Sequence, residues 1–224
     1  MTFKKGISIL GIVAVIVSCA TNPFTGKKTM AFVSNDQLFP SSFAQYNQVL
    51  NESKIITGTK DAEMITRVGQ RIAVAAERWL NANGHQGYLD DYKWEYKLIE
   101  SEQVNAWCMP GGKIAFYTGI LPIAQNETGI AAIMGHEVAH ALANHGQQRM
   151  SSGMLQQLGG IGVAVATGNE SPEKQQMWMQ AYGLASNVGG MLPFSRAHET
   201  EADKIGVILM AVAGYNPDEA AELW

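Results

Sequence analysis

The hexapeptide Gly135-His-Glu-Val-Ala-His140 puts a carboxylate between two imidazoles one helical turn apart. Residues four apart on a helix stand one above the other, so His136 and His140 can converge on a single ion. Glu137 is offset by about 100° and borders the same point, where it can reach a water without being a ligand. This is the zincin arrangement: two histidines hold Zn²⁺, the metal lowers the pKa of a water to about 7, and the glutamate takes its proton. The competing reading, two surface or core histidines with a chance glutamate, makes the search for a third ligand decisive.

A catalytic zinc needs three protein ligands and an open fourth position. One zincin class takes a histidine six residues past the second, with a glycine midway. Here those positions hold Gly146 and Ala143, which excludes that class. His145 lies nine residues after His136, about 180° around a continuous helix, and reads as a surface or helix-end histidine. The other class takes a glutamate from a later helix, and Glu199 and Glu201 are available in Leu192-Pro-Phe-Ser-Arg-Ala-His-Glu-Thr-Glu-Ala-Asp203. Glu199 and Asp203 share a face with the small residues Ala202 and Gly206, which would admit the histidine helix closely. Glu201 points elsewhere. Glu199 is therefore the expected third ligand, and Asp203 the acceptor that orients a ligand histidine through its other ring nitrogen. His198 is expected beside the ligands or at the surface.

The elements that must carry these residues follow from periodicity. Asp61 to Leu80 has a helical apolar stripe, ended by Asn81 to Gly87. Lys93 to Leu98 alternates as a half-buried strand, Val104 to Met109 and Lys113 to Tyr117 read as two more, and Pro110-Gly-Gly112 turns between them. From about Asn126, an N-cap residue followed by Glu127, helices are expected at 126–150, 172–188 and 196–213, with a glycine-rich apolar piece at 153–168. That piece reads as a lid, an interfacial loop or a mobile core helix. Strands grouped before helices imply an α+β class, predominantly helical, with a small hairpin-built sheet beside the histidine helix. The final Asn216-Pro-Asp-Glu219 opens a helix that no C-terminal signal closes, so the sequence reads as a fragment of a longer chain.

At the other end, two lysines, an apolar run from Gly6 to Val17 and Ser18-Cys19 form a secretory signal over residues 1–18. The run is too short to span a bilayer. Ile16-Val-Ser-Cys19 resembles a bacterial lipobox, which makes Cys19 the lipid-bearing residue and 19–40 a tether to a domain over 41–224. Ala20 in place of aspartate points to the outer membrane. Cleavage there removes two lysines and no acid, moving the net charge from −4 to −6. With pI about 5.7 there is no footprint for nucleic acid. Acylation of Cys19 would leave Cys108 as the single thiol, excluding an intramolecular disulfide. No histidine is near Cys108 in sequence, so it reads as a buried small residue and not a nucleophile.

Taken together, Asn105-Ala106, Pro110-Gly-Gly112, Gly119-Ile-Leu121, the Gly135–His140 stretch, Ser195-Arg196, Glu199 and Glu201-Ala-Asp203 resemble the gluzincin endopeptidases that include HtpX and the CAAX prenyl endopeptidases, specifically their small periplasmic lipoprotein members. The resemblance implies zinc-dependent cleavage of internal peptide bonds, with one zinc on His136, His140 and Glu199 and with Glu137 as base. It also implies that Asn105, Ala106 and Trp107 border the cleft and pair with an extended, unfolded polypeptide by strand addition. HtpX-type members carry transmembrane helices, and the 153–168 segment is too short and too polar at Gln156-Gln157 to be one. A chaperone or assembly factor that keeps the zinc fold without cutting is the rival reading, disfavoured by the intact Glu137. A purely structural zinc is a third.

Overall fold

The computed structural model describes residues 19–220. The expected signal segment, 1–18, lies outside them. Among the described residues, contacts group into two compact units, one of 19–22, 26–34 and 147–199 and the other of 23–25, 35–146 and 200–220.

The second unit holds an α+β core. Helix α1 (Asn35–Asn51) leads to a short strand β3 (Ile55–Ile56) and then to α2 (Lys60–Ala82). Thr59 caps α2, accepting from the Ala62 amide at 3.2 Å, and Asp61 and Glu63 favour its positive end. Its buried stripe, Ile65, Val68, Ile72, Ala76 and Leu80, follows the helical period. Strands β4 (Glu95–Ile99), β5 (Ala106–Met109) and β6 (Lys113–Tyr117) complete a sheet in the order β3-β4-β6-β5. Only β5 and β6 form a hairpin. β4 and β6 run parallel, with Glu95 opposite Lys113 and Ile99 opposite Tyr117, because β6 inserts between β4 and β5. The expected all-hairpin sheet is thus corrected, and β5 is left as the terminal strand.

After the short α3 (Leu121–Ala124), α4 (Glu127–Leu142) is apolar nearly all round and buried along most of its length, so it forms the centre of this core. Asn126 caps it as expected, its Oδ1 accepting from the Gly129 amide at 2.9 Å. Glu127 in the first turn accepts from Arg67 at 2.7 Å and from the Tyr215 hydroxyl at 2.9 Å. The expected single helix over 126–150 is two. Asn144 takes φ of 57°, a left-handed conformation that ends α4, and α5 (His145–Ala166) begins at once. The Asn144 side chain donates to the Tyr88 hydroxyl at 2.8 Å, and Tyr88 donates to the Leu142 carbonyl at 2.8 Å. Burial pushes the Tyr88 phenol up to about 12, which keeps it a donor to that orphan carbonyl.

In the first unit, β1 (Cys19–Thr21) pairs antiparallel with β2 (Lys28–Met30), so part of the expected tether is ordered strand; α1 likewise begins at Asn35, inside it. The Phe32 amide donates to Ser151 Oγ on α5 at 3.1 Å. α5 and α6 (Pro172–Ser186) pair through Gln156, which donates to Ser186 Oγ at 2.9 Å, while its carbonyl accepts from the Tyr182 hydroxyl at 2.7 Å. The glycine-rich segment is therefore helical, and it is no core helix: Leu158 is 62% exposed and Val165 77%. A wide turn (Asn187–Met191) leads into α7 (Leu192–Val212), one unbroken helix that starts four residues earlier than its periodicity suggested.

Candidate metal centre

Helices α4 and α7 approach backbone to backbone. A Cβ on Gly135 would meet the Gly206 carbonyl oxygen at 2.9 Å, and one on Gly206 would meet the His136 amide nitrogen at 2.9 Å. Only glycine at both positions admits this distance. The closeness sets α7 carboxylates against the imidazoles of α4, as the small residues of the later helix predict; Ala202 is fully buried there.

Asp203 Oδ1 lies 2.9 Å from His136 Nδ1. The Nε2 atoms of His136 and His140 stand 3.1 Å apart. His140 Nδ1 is 2.8 Å from Nδ1 of His145, whose Nε2 is 2.9 Å from Glu201 Oε2. His145 is fully buried, so its surface placement is corrected; Glu201 lies on a different face of α7 from Asp203 and is 9% exposed. The 180° offset assumed one helix through residue 150, whereas the reversal at Asn144 turns His145 back onto His140. An asparagine just before His145-Gly146 was the available signal, since asparagine tolerates the left-handed conformation that stops helices.

The proton count tests whether these residues fit a metal. A carboxylate only accepts, so His136 donates to Asp203 from Nδ1 and keeps a lone pair on Nε2. Likewise His145 donates to Glu201 from Nε2, accepts at Nδ1 from His140, and leaves His140 with a lone pair on Nε2. On that assignment both Nε2 atoms, 3.1 Å apart, can serve as ligands to one cation. Two nitrogens bound tetrahedrally to one zinc at about 2.0–2.1 Å would be about 3.3 Å apart, close to what is seen. Glu199 precedes Asp203 by one turn of α7, and ligand atoms of His136, His140 and Glu199 lie within 4.8 Å of one another, a group that could hold a metal ion. His198 is buried, with Nε2 3.1 Å from the Gln148 side-chain oxygen.

Glu137 follows His136 on α4 and is half-buried. Its charge reaches the Cys108 thiol on β5: burial pushes that thiol well up, and Glu137 pushes it further. Cys108 is half-buried, not fully buried as expected. On β5, Ala106 is buried, while Trp107 stacks edge-on with Tyr46 at 5.8 Å between centroids; alternation puts it on the face opposite Cys108. Asn105 precedes the strand, its carbonyl accepting from the Tyr117 amide at 3.0 Å. A cavity of about 220 Å³ opens beside the imidazole of His136, lined among others by Ala132, Asp203, Val207 and Met210.

A buried helix offering two imidazoles to the carboxylates of a later helix, within an α+β domain, defines a zincin-like metallopeptidase fold. The chain belongs to peptidase family M48, whose family description matches residues 60–224. It is similar to the mitochondrial metalloendopeptidase OMA1 of Schizosaccharomyces pombe, 35% identical over 136 residues that cover 61% of this chain and 38% of that protein. The human metalloendopeptidase OMA1 is 24% identical over 98% of this chain and 42% of its own length. The β-barrel assembly-enhancing protease of Escherichia coli is 27% identical over 55% of this chain and 26% of its own. The chain thus spans less than half the length of each. These relatives narrow the expected resemblance: the family is one of metallopeptidases, and its matched members are OMA1 and assembly-enhancing proteases, not specifically HtpX or CAAX enzymes.

Proposed function

We propose that this protein is a zinc-dependent endopeptidase of the bacterial envelope that cuts extended segments of unfolded or misassembled envelope proteins. The observation that carries the reading is the 3.1 Å approach of His136 Nε2 and His140 Nε2, with Asp203 2.9 Å from the outer nitrogen of His136 and His145 2.8 Å from that of His140. His136, His140 and Glu199 would hold one zinc, which supplies Lewis acidity to a scissile carbonyl and acidifies water. Glu137, one residue along α4 and half-buried, takes the proton of the attacking water and passes it to the departing amine. The terminal strand β5, with Asn105, Ala106 and Trp107, offers a backbone edge to an extended substrate, which favours unfolded chains.

The envelope assignment rests on two supports, the lipobox-like Ile16-Val-Ser-Cys19 and the likeness to a protein named for β-barrel assembly. Anchoring through a lipid on Cys19 places the domain on the periplasmic side, with the outer membrane favoured by Ala20. No helix among the described residues is long and apolar enough to cross a membrane. Digestion of casein or an unfolded porin tests the activity. Zinc-loaded wild-type protein should cut and Glu137→Gln should be slower by about 10²–10⁴-fold, the usual worth of a positioned base. Equal proteolysis by the two overturns the enzyme reading.

A further inference from the structure

We infer that His145 and Glu201 are positioning residues for the metal ligand His140, together doing for that imidazole what Asp203 alone does for His136. The inference rests on the metal centre proposed above and concerns residues outside its ligand set.

Helix α7 presents carboxylates at 201 and 203, about 200° apart around its axis. One of them faces His136 directly, at 2.9 Å. The other cannot face His140, and the gap is filled by the fully buried imidazole of His145, 2.8 Å from His140 and 2.9 Å from Glu201. An imidazole can accept at one nitrogen while donating at the other, so it transmits the orientation of a distant acceptor to the ligand ring. One neutral assignment satisfies the contacts at 2.8 and 2.9 Å: the proton of His145 on Nε2 facing Glu201, and the proton of His140 on Nδ1 facing His145. That assignment leaves the lone pair of His140 on Nε2, the atom that lies 3.1 Å from Nε2 of His136. It also fixes the ring plane, since the rings of His140 and His145 stand edge to face at 73°. The left-handed turn at Asn144 is the backbone device that permits it, because a continued α4 would carry residue 145 past His140 and away.

The test uses the full-length, zinc-free protein in competition with a fluorescent chelator. His145→Leu should weaken zinc binding by about 10–100-fold, the usual cost of losing a partner behind a ligand histidine. His145→Gln, whose amide oxygen can accept from His140 and whose NH₂ can donate to Glu201, should recover all but a few-fold of that loss. Glu201→Leu should fall with His145→Leu. A second readout needs no variant: the ¹⁵N shifts of the zinc-free wild type should report a proton on Nδ1 of His140 and on Nε2 of His145. Zinc binding by His145→Leu as tight as wild type, or His145 protonated at Nδ1 instead, overturns the inference. Failure of the wild type itself to bind zinc sinks the metal reading, and the ¹⁵N assignment then still decides the proton arrangement on its own.

Discussion

Glu199 and Glu201 are two residues apart on one helix, and their substitutions separate a direct ligand from a supporting acceptor. Glu199→Ala should cost more than about 100-fold in zinc affinity, beyond the 10–100-fold range of an outer partner, with Glu201→Ala falling inside that range. Isothermal titration of the two variants checks the order, and the reverse order would reassign the third ligand. Glu127 gives a pH prediction. Hydrogen bonding to Arg67, then to Tyr215, with the added charge of Arg71, holds its carboxyl below its ordinary value of 4.5. A depressed folded pKa means stability that is present above about 4.5 and lost as pH falls through the lowered value. The pairs are partly solvent-exposed, so Glu127→Gln should cost about 1 kcal/mol or less at neutral pH, and urea midpoints of variant and wild type should converge in acid.

Between elements, two backbone features decide whether the side chains meet. The α4–α7 crossing depends on Gly135 and Gly206, whose neighbours at 2.9 Å are backbone atoms and cannot rotate away. Gly206→Ala should therefore destabilise the fold by about 1–3 kcal/mol, as overpacking does, and weaken zinc binding by displacing Asp203 from His136. Thermal denaturation and chelator competition measured together test this, and unchanged values for both would refute the close crossing. The break at Asn144 is the second feature. Asn144→Ala loses the bond to Tyr88 and strains a left-handed residue, for about 1–2 kcal/mol, while Asn144→Gly keeps the conformation and should lose less. Helical periodicity continues through 143–146, and the single left-handed asparagine at 144 outweighs it.

For the molecule as a whole, metal and membrane supply the predictions. Zinc bound only by the folded protein stabilises it by mass action, about 4 kcal/mol at a thousand times Kd, so chelation should lower Tm. Cys19→Ser should move the protein from the membrane fraction to the soluble one, and retention there would argue against a lipid anchor. The α5–α6 pair gives a reason to measure membrane contact with care, because Leu158, Val165 and Leu184 are exposed and no charged residue lies between Arg149 and Glu170. The histidine pair, its glutamate, the N-cap at Asn126 and the helical faces of Glu199 and Asp203 were legible in the sequence, because each depends on spacing within one element and the helix fixes that spacing. The parallel β4–β6 pairing and the His140–His145–Glu201 contact were decided by tertiary structure alone. Both depend on where the chain reverses, and a reversal made by one strand insertion or one left-handed residue alters which elements meet while leaving local periodicity unchanged.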